Sequence, residues 1–211
     1  HGNRTATRKS GSADLLEEAG VSLSLKPEEI AKCIEEVGIG FMFAPSHHSA
    51  MKHVVGPRRE IGQKSIFNIL GPLTNPASAK RQLMGVYDKK WMLPIAQVLK
   101  ELGSEHLLIV HSEDGLDEIS IAAPTSVVEM KKGTITEFQI CPEDFGFETS
   151  SLGGLEANSP EQSLQIANLA LRGEHKAASA MVAMAAGAAL YISDISDSLD
   201  SGVELAKDCI K

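Results

Sequence analysis

Three stretches of this chain concentrate side chains that can do chemistry. The first, HGNRTATRKSGSAD at residues 1–14, combines Gly2 and Gly11, which let backbone amides approach a ligand, with hydroxyls on Thr5, Thr7, Ser10 and Ser12 and cations on Arg4, Arg8 and Lys9. That mixture suits a phosphate or pyrophosphate. It is neither a Walker loop nor a dinucleotide fingerprint, so on composition alone a polar, basic chain end is the plainer reading.

The second stretch, HSEDGLDE at 111–118, follows the apolar run LLIV and places Glu113, Asp114, Asp117 and Glu118 within six residues. Oxygen donors of this kind suit a hard cation such as Mg²⁺, which keeps waters and ligand phosphates in its shell. A solvated acidic loop has the same composition. The third stretch, FAPSHHSAMKHVVGPRR at 43–59, carries His47, His48, Lys52, His53, Arg58 and Arg59. A guanidinium can clamp a carboxylate through two parallel N–H groups, and Pro57 fixes the backbone just ahead of the arginines. The pattern does not choose between Arg58 and Arg59. The histidine spacing does not match a helical zinc face. No G-x-S-x-G elbow is present, and no cysteine stands in a catalytic setting. Together the three stretches describe a metal-bound, phosphorylated substrate meeting a second anionic small molecule.

These groups need a frame, and the hydrophobic pattern predicts an α/β one. Ser12–Ala19 reads as a helix capped by Ser10 or Ser12 and stopped by Gly20, so the first loop would feed a helix N-terminus. Pro27–Val37 is amphipathic, with Gly38 as its stop. GIGFMFA at 38–44 suits a buried strand, and Pro72, Asn75 and Pro76 mark 65–79 as a loop. RQLMGVY (81–87) and EHLLIVHS (105–112) are strand candidates flanking a helix over 91–103, which makes a βαβ unit. HSEDGLDE then emerges at the carboxyl end of a parallel strand, where open α/β sheets place ligands. VVEMKKGTITEFQI (127–140) predicts an antiparallel edge hairpin turning at Lys132-Gly133. Ser159-Pro160-Glu161-Gln162 starts a helix that Gly173 ends, and the Ala-rich run from His175 to Ile192 predicts a closely packed helix. The fold class is therefore α/β: a mainly parallel central sheet, flanking helices and an antiparallel edge hairpin, in one domain over 1–211.

Bulk properties exclude some functions. A formal charge of −8 on 211 residues opposes a main role in coating nucleic acid or an anionic membrane. Cys33, Cys141 and Cys209 are scattered, without C-x-x-C spacing, which fits reduced thiols in a cytoplasmic protein. No apolar run approaches the ~20 residues of a membrane span, and the start has no signal-peptide core.

Taken in order, HGNR with SGSAD, then GIGFMFAPSHHSAMKHVVGPRREIG, IFNILGPLTNPA and SEDGLDEIS closely resemble the anthranilate phosphoribosyltransferase family. The likeness runs over nearly the whole chain. It implies the catalytic-domain fold shared by nucleoside phosphorylases and phosphoribosyltransferases. It also implies transfer of the phosphoribosyl group from phosphoribosyl pyrophosphate to anthranilate in tryptophan biosynthesis, with Mg²⁺ and no dedicated catalytic side chain. By this resemblance His1, Gly2, Asn3, Arg4, Thr5, Ala6, Thr7, Arg8 and Ser12 bind phosphoribosyl pyrophosphate. Asn3, Arg58, His47 and His48 border anthranilate, and Asp117 with Glu118 binds the metal.

Partners would be these two small molecules, with no nucleic acid or membrane and a homodimeric parent. The family's N-terminal helical domain, its Gly-Thr-Gly-Gly-Asp loop and the lysine before its His-Gly-Asn-Arg are expected to lie outside these residues, which would leave the isolated piece inactive. Arg8 departs from the family's small hydroxyl residues, and Ala185 stands where it often has asparagine. A pyrimidine-nucleoside phosphorylase shares the fold, but HGNR and GPRR speak against it. A nucleic-acid-binding relative should be basic, and this chain is acidic.

Overall fold

Leu107, Leu108, Ile109 and Val110 are each at most 1% exposed, so one strand of the structure is covered on both faces and organises its surroundings. The computed structural model describes residues 1–4, 10–48 and 67–210. These divide into two compact units, one of His1–Ser78 with Ala157–Leu164 and the other of Ala79–Glu156 with Gln165–Lys211.

The second unit holds the sheet. β1 (Arg81–Gly85) pairs in parallel with β2 (His106–Ser112), in register Arg81 with His106 through Gly85 with Val110. Antiparallel pairing follows between β2 and β3 (Thr125–Lys131) and between β3 and β4 (Thr134–Ile140), in the order β1-β2-β3-β4. The α/β class, the βαβ unit and the hairpin are those the sequence implies. Among the described strands the sheet is mixed, with one parallel and two antiparallel pairings. Lys132 and Gly133 both adopt positive φ, 50° and 79°, the geometry of a two-residue turn that matches strand twist.

Helix α5 (Met92–Glu101) forms the crossover and buries Met92, Ile95, Ala96 and Leu99, a helical i, i+3, i+4, i+7 stripe. Pro94 is tolerated because it stands in the first turn, whose N–H groups have no partner within the helix. Leu108 and Val110 of β2 pack with Ala180, Met184, Ala188 and Ile192 of α7 (Lys176–Ile192). Arg81 donates to the Ile192 carbonyl at 2.8 Å and pairs with Asp194 at 2.6 Å, a cation at a helix C-terminus where the dipole favours it. Tyr191 donates to Glu129 at 2.8 Å, and His106 Nε2 lies 2.8 Å from the same oxygen, so α7 is also tied to β3. Burial, with Glu129 alongside, pushes the Tyr191 phenol up to about 12.

The Ala-rich helix packs as tightly as its composition implies. A Cβ on Gly187 would lie 2.5 Å from the Cα of Val203 on α8 (Leu199–Cys209), so the two helices meet backbone to backbone. His175 caps α7, its Nδ1 accepting from the Ala178 amide at 3.3 Å.

The first unit contains α1 (Ser12–Glu18), α2 (Pro27–Val37), α3 (Ala44–His47) and α4 (Phe67–Leu73). Helix α6 (Pro160–Leu171) begins in this unit; Ser159 caps it by accepting from the Gln162 amide at 3.3 Å, and the Gln162 side chain reaches back one residue further than a capping box, accepting from the Asn158 amide at 2.9 Å. Three local expectations are corrected. Neither Ser10 nor Ser12 caps α1: Gly11 is the cap, and its N–H donates to Asp14 three residues on at 3.0 Å. Asp14 gives that amide a charged acceptor from the third helical position, while Gly11, which has no side chain, returns none to the helix amides. Among the described residues the strand expected over 38–44 reduces to one parallel bridge, Gly2 with Phe43; Gly38 is still the left-handed cap of α2 and α3 starts at Ala44, which shortens the extended segment at both ends. Pro72 sits inside α4 rather than in a loop. It removes one amide donor, a small loss in a helix that ends at the next residue, and Asn75 then opens the loop by accepting from Ala77 at 2.9 Å.

No helix among the described residues is long and apolar enough to cross a membrane. The α7–α8 contact gives a direct stability test. Gly187→Ala should cost about 1–3 kcal/mol in chemical denaturation through overpacking, while Ala189→Gln, at an exposed position of the same helix, should stay within about 0.5 kcal/mol.

Candidate active site

The predicted site residues fall into two groups, each within one unit. In the first, the Gly2 amide donates to the Met42 carbonyl at 3.0 Å and the Ala44 amide donates to the Gly2 carbonyl at 2.7 Å. These two bonds stitch the HGNR loop to the FAPSHH segment. They bring His1 to His48, with the two Nε2 atoms 3.1 Å apart and the rings edge to face at 5.0 Å. One imidazole must donate and the other accept, so this pair is complete only with one acceptor nitrogen unprotonated. His47 follows on α3 with a buried Nε2 that has no hydrogen-bond partner among the described residues.

Arg4 is directed toward α1. It pairs with Asp14 at 2.9 Å and Glu17 at 2.6 Å, and its guanidinium carbon lies 5.9 Å from the centre of the Phe43 ring. Asn3 is exposed, and its side-chain oxygen accepts from the Arg4 amide at 2.8 Å. Ser12 is exposed at the start of α1. A cavity of about 450 Å³ in this unit is lined by Arg4, Glu17, Phe43 and Ser46 together with the 20–24 turn. Of the predicted residues that are described it takes Arg4 alone. Thr5, Ala6, Thr7, Arg8 and Arg58 lie outside the described residues, as do Lys9, Lys52, His53 and Arg59.

The second group sits just past β2, at its carboxyl end, as the strand pattern implies. Composition made the four carboxylates of this loop equivalent, and the fold sorts them. Glu113 Oε1 accepts from Lys89 and from Ser126, each at 3.1 Å, and these partners, Lys89 first, hold its carboxyl below the ordinary value. Asp114 accepts from the Leu116 amide at 3.1 Å and from the Ser120 hydroxyl at 2.6 Å. Partial burial pushes the Asp114 carboxyl up, but the bonds from Ser120 and Leu116 outweigh it, so it too lies below its ordinary value. Both residues brace the loop. Asp117, half-buried, and Glu118, exposed, follow the turn that they brace.

Further bonds give that turn its shape. The Ser112 amide donates to the Leu116 carbonyl at 2.9 Å, and the Gly115 amide donates back to Ser112 at 2.9 Å with Gly115 at φ 90°. The Glu113 amide donates to Pro124 at 2.9 Å. His111 Nδ1 lies 2.8 Å from the Val86 carbonyl, which ties the exits of β1 and β2. Gly85, at the end of β1, lies against the backbone of Asp117 so closely that a Cβ there would overlap the Asp117 carbonyl. Sequence reading missed Gly85. Its signal was a glycine inside a strand pattern, which marks close approach of another backbone.

Among the described residues no group of three or more His, Cys, Asp or Glu is placed to hold a metal. Two adjacent carboxylates fit a cation that completes its shell with water and phosphate oxygens, which is the habit of Mg²⁺ and not of a structural zinc.

Residues 1–211 match the family described as Glycosyl transferase family, a/b domain. The anthranilate phosphoribosyltransferase of Marinomonas sp. is 57% identical over 212 residues, covering 100% of this chain and 61% of that protein. The protein of the same name from Ectopseudomonas mendocina is 56% identical, at 100% and 62% coverage. Among solved structures, anthranilate phosphoribosyltransferase from Thermus thermophilus has a TM-score of 0.91 at 42% identity, covering 100% of this chain and 62% of that one. The Saccharomyces cerevisiae enzyme in complex with PRPP and Mg has a TM-score of 0.88 at 26% identity, with 100% and 59% coverage. The chain thus spans about six tenths of the length of these relatives. With an α/β sheet among its described residues and a family match over residues 1–211, the chain belongs to the glycosyl transferase family, as its α/β domain.

Proposed function

We propose that this chain is the α/β catalytic domain of a longer cytoplasmic anthranilate phosphoribosyltransferase, which moves the phosphoribosyl group of phosphoribosyl pyrophosphate onto the amine of anthranilate in tryptophan biosynthesis. The observation that carries this reading is the 57% identity to a protein of that name, over a span that includes every residue of the three chemistry-bearing stretches. The described geometry agrees in kind: a histidine pair that joins the start of the HGNR loop to the FAPSHH segment, and an acidic pair past a strand end.

In the reaction the bond from the anomeric carbon to the pyrophosphate oxygen breaks, a bond to the amine nitrogen forms, and the amine gives up one proton. The sugar passes through an oxocarbenium-like state while charge gathers on the departing pyrophosphate. Residues His1 through Arg8 and Ser12 would hold the phosphates through backbone amides, hydroxyls and the Arg8 cation. Arg58 would clamp the anthranilate carboxylate with its planar fork, and Asn3 would help to aim the amine. His47 or His48 would take the proton after attack, and the low basicity of an aromatic amine makes an earlier deprotonation unnecessary. Asp117 and Glu118 would hold Mg²⁺, which when bound neutralises charge on pyrophosphate. A homodimeric parent with no nucleic-acid or membrane partner completes the proposal.

Two measurements on the full-length protein test it. Asp117→Asn combined with Glu118→Gln should lower Mg²⁺-dependent turnover by roughly 10²–10³-fold, the scale for losing electrostatic stabilisation of a developing charge. Undiminished turnover would remove the acidic pair from the site. Arg58→Ala should raise KM for anthranilate by about 10–100-fold, the scale of a lost charge-assisted pair, and leave KM for phosphoribosyl pyrophosphate within about threefold. Arg58→Lys should recover only part of the loss, because an ammonium cannot make the two-point contact.

A further inference from the structure

We infer that Gly85 is a positioning residue for the acidic pair: its missing side chain lets the Asp117 carbonyl rest on the end of β1, and this contact, with the Asp114 bonds, sets where the two carboxylates point. The inference rests on the proposed reading of Asp117 and Glu118 as the Mg²⁺-holding pair. Three independent facts converge on it.

First, the approach is backbone to backbone. A Cβ on Gly85 would overlap the Asp117 carbonyl oxygen and lie 3.3 Å from the Asp117 Cα, and no rotamer change relieves a clash with main chain. Second, the strand side cannot yield easily. Gly85 is in register with the buried Val110 of β2, and the next amide, that of Val86, donates to the Val110 carbonyl at 3.0 Å. Third, the other side of the loop is already tied down. Asp114 is held by Ser120 at 2.6 Å and by the Leu116 amide at 3.1 Å, and the buried Ser120 in turn accepts from the Ala122 amide at 3.0 Å. Any Cβ at position 85 must therefore push the 116–118 segment outward as a piece. A cation bound by two carboxylates, with the rest of its shell supplied by phosphates and water, depends on their spacing and direction, and disturbing the groups that orient metal ligands costs affinity.

The test uses the full-length protein and Mn²⁺ with inorganic pyrophosphate as probe, read by electron paramagnetic resonance below the melting temperature of each variant. Gly85→Ala should weaken Mn²⁺ binding by about 10- to 100-fold. Its KM for anthranilate should stay unchanged, and excess metal should restore turnover. Should Gly85→Ala fail to fold, Ser120→Ala decides, since it frees one oxygen of Asp114 without adding bulk and should weaken Mn²⁺ binding in the same direction. Wild-type Mn²⁺ affinity in a folded Gly85→Ala protein, or in Ser120→Ala where the first does not fold, overturns the inference. Asp117→Asn with Glu118→Gln serves as the control: if that protein binds Mn²⁺ like wild type, the reading of the acidic pair itself fails, a result separable from failure at Gly85.

Discussion

The second unit depends on the burial of β2. Its four central residues are closed off on both faces, which confines α5 and α7 to the sheet and fixes where the strand must end. A polar segment begins where the apolar run stops, because a side chain that carries charge cannot follow Val110 into the core. The loop with Asp117 and Glu118 is in this sense a consequence of hydrophobic burial. Parallel pairing with β1 places the exits of the two strands side by side, and the His111–Val86 contact and the Gly85–Asp117 approach both follow from that register.

The loop also shows how a cluster of like charges is made useful. Four carboxylates within six residues would repel one another if all faced one point. Here Glu113 is drawn to Lys89 and Ser126, and Asp114 to Ser120 and the Leu116 amide. Each is stabilised in its charged form by partners outside the pair that follows. The first unit uses a different device, two backbone hydrogen bonds between Gly2 and the 42–44 segment. They place a histidine from each of two segments, 47 residues apart in sequence, in contact.

Much of the architecture was legible in the sequence because it rests on local rules. The stripe of Met92, Ile95, Ala96 and Leu99, the Lys132-Gly133 turn, the Gly38 stop and the small-residue run of α7 each follow from periodicity or from one residue's conformational preference. The errors fell where two local signals competed. Gly11 took the cap position with Asp14 as partner of its amide, Pro72 was absorbed by a helix about to end, and the 38–44 segment, shortened at both ends by helices, pairs among the described residues through the Gly2–Phe43 bridge.

The sequence by itself determined which chemistry is available: hydroxyls and cations for an anion, oxygen donors for a hard cation, a guanidinium for a carboxylate. These are properties of residue types, and they survive any fold. Only the tertiary structure decided which of the four acidic residues brace the loop, that Arg4 is turned toward Asp14 and Glu17, and that Gly85 must lack a side chain. Those choices depend on distances between segments far apart in the chain, set by how strands register and backbones approach, and no local pattern encodes them.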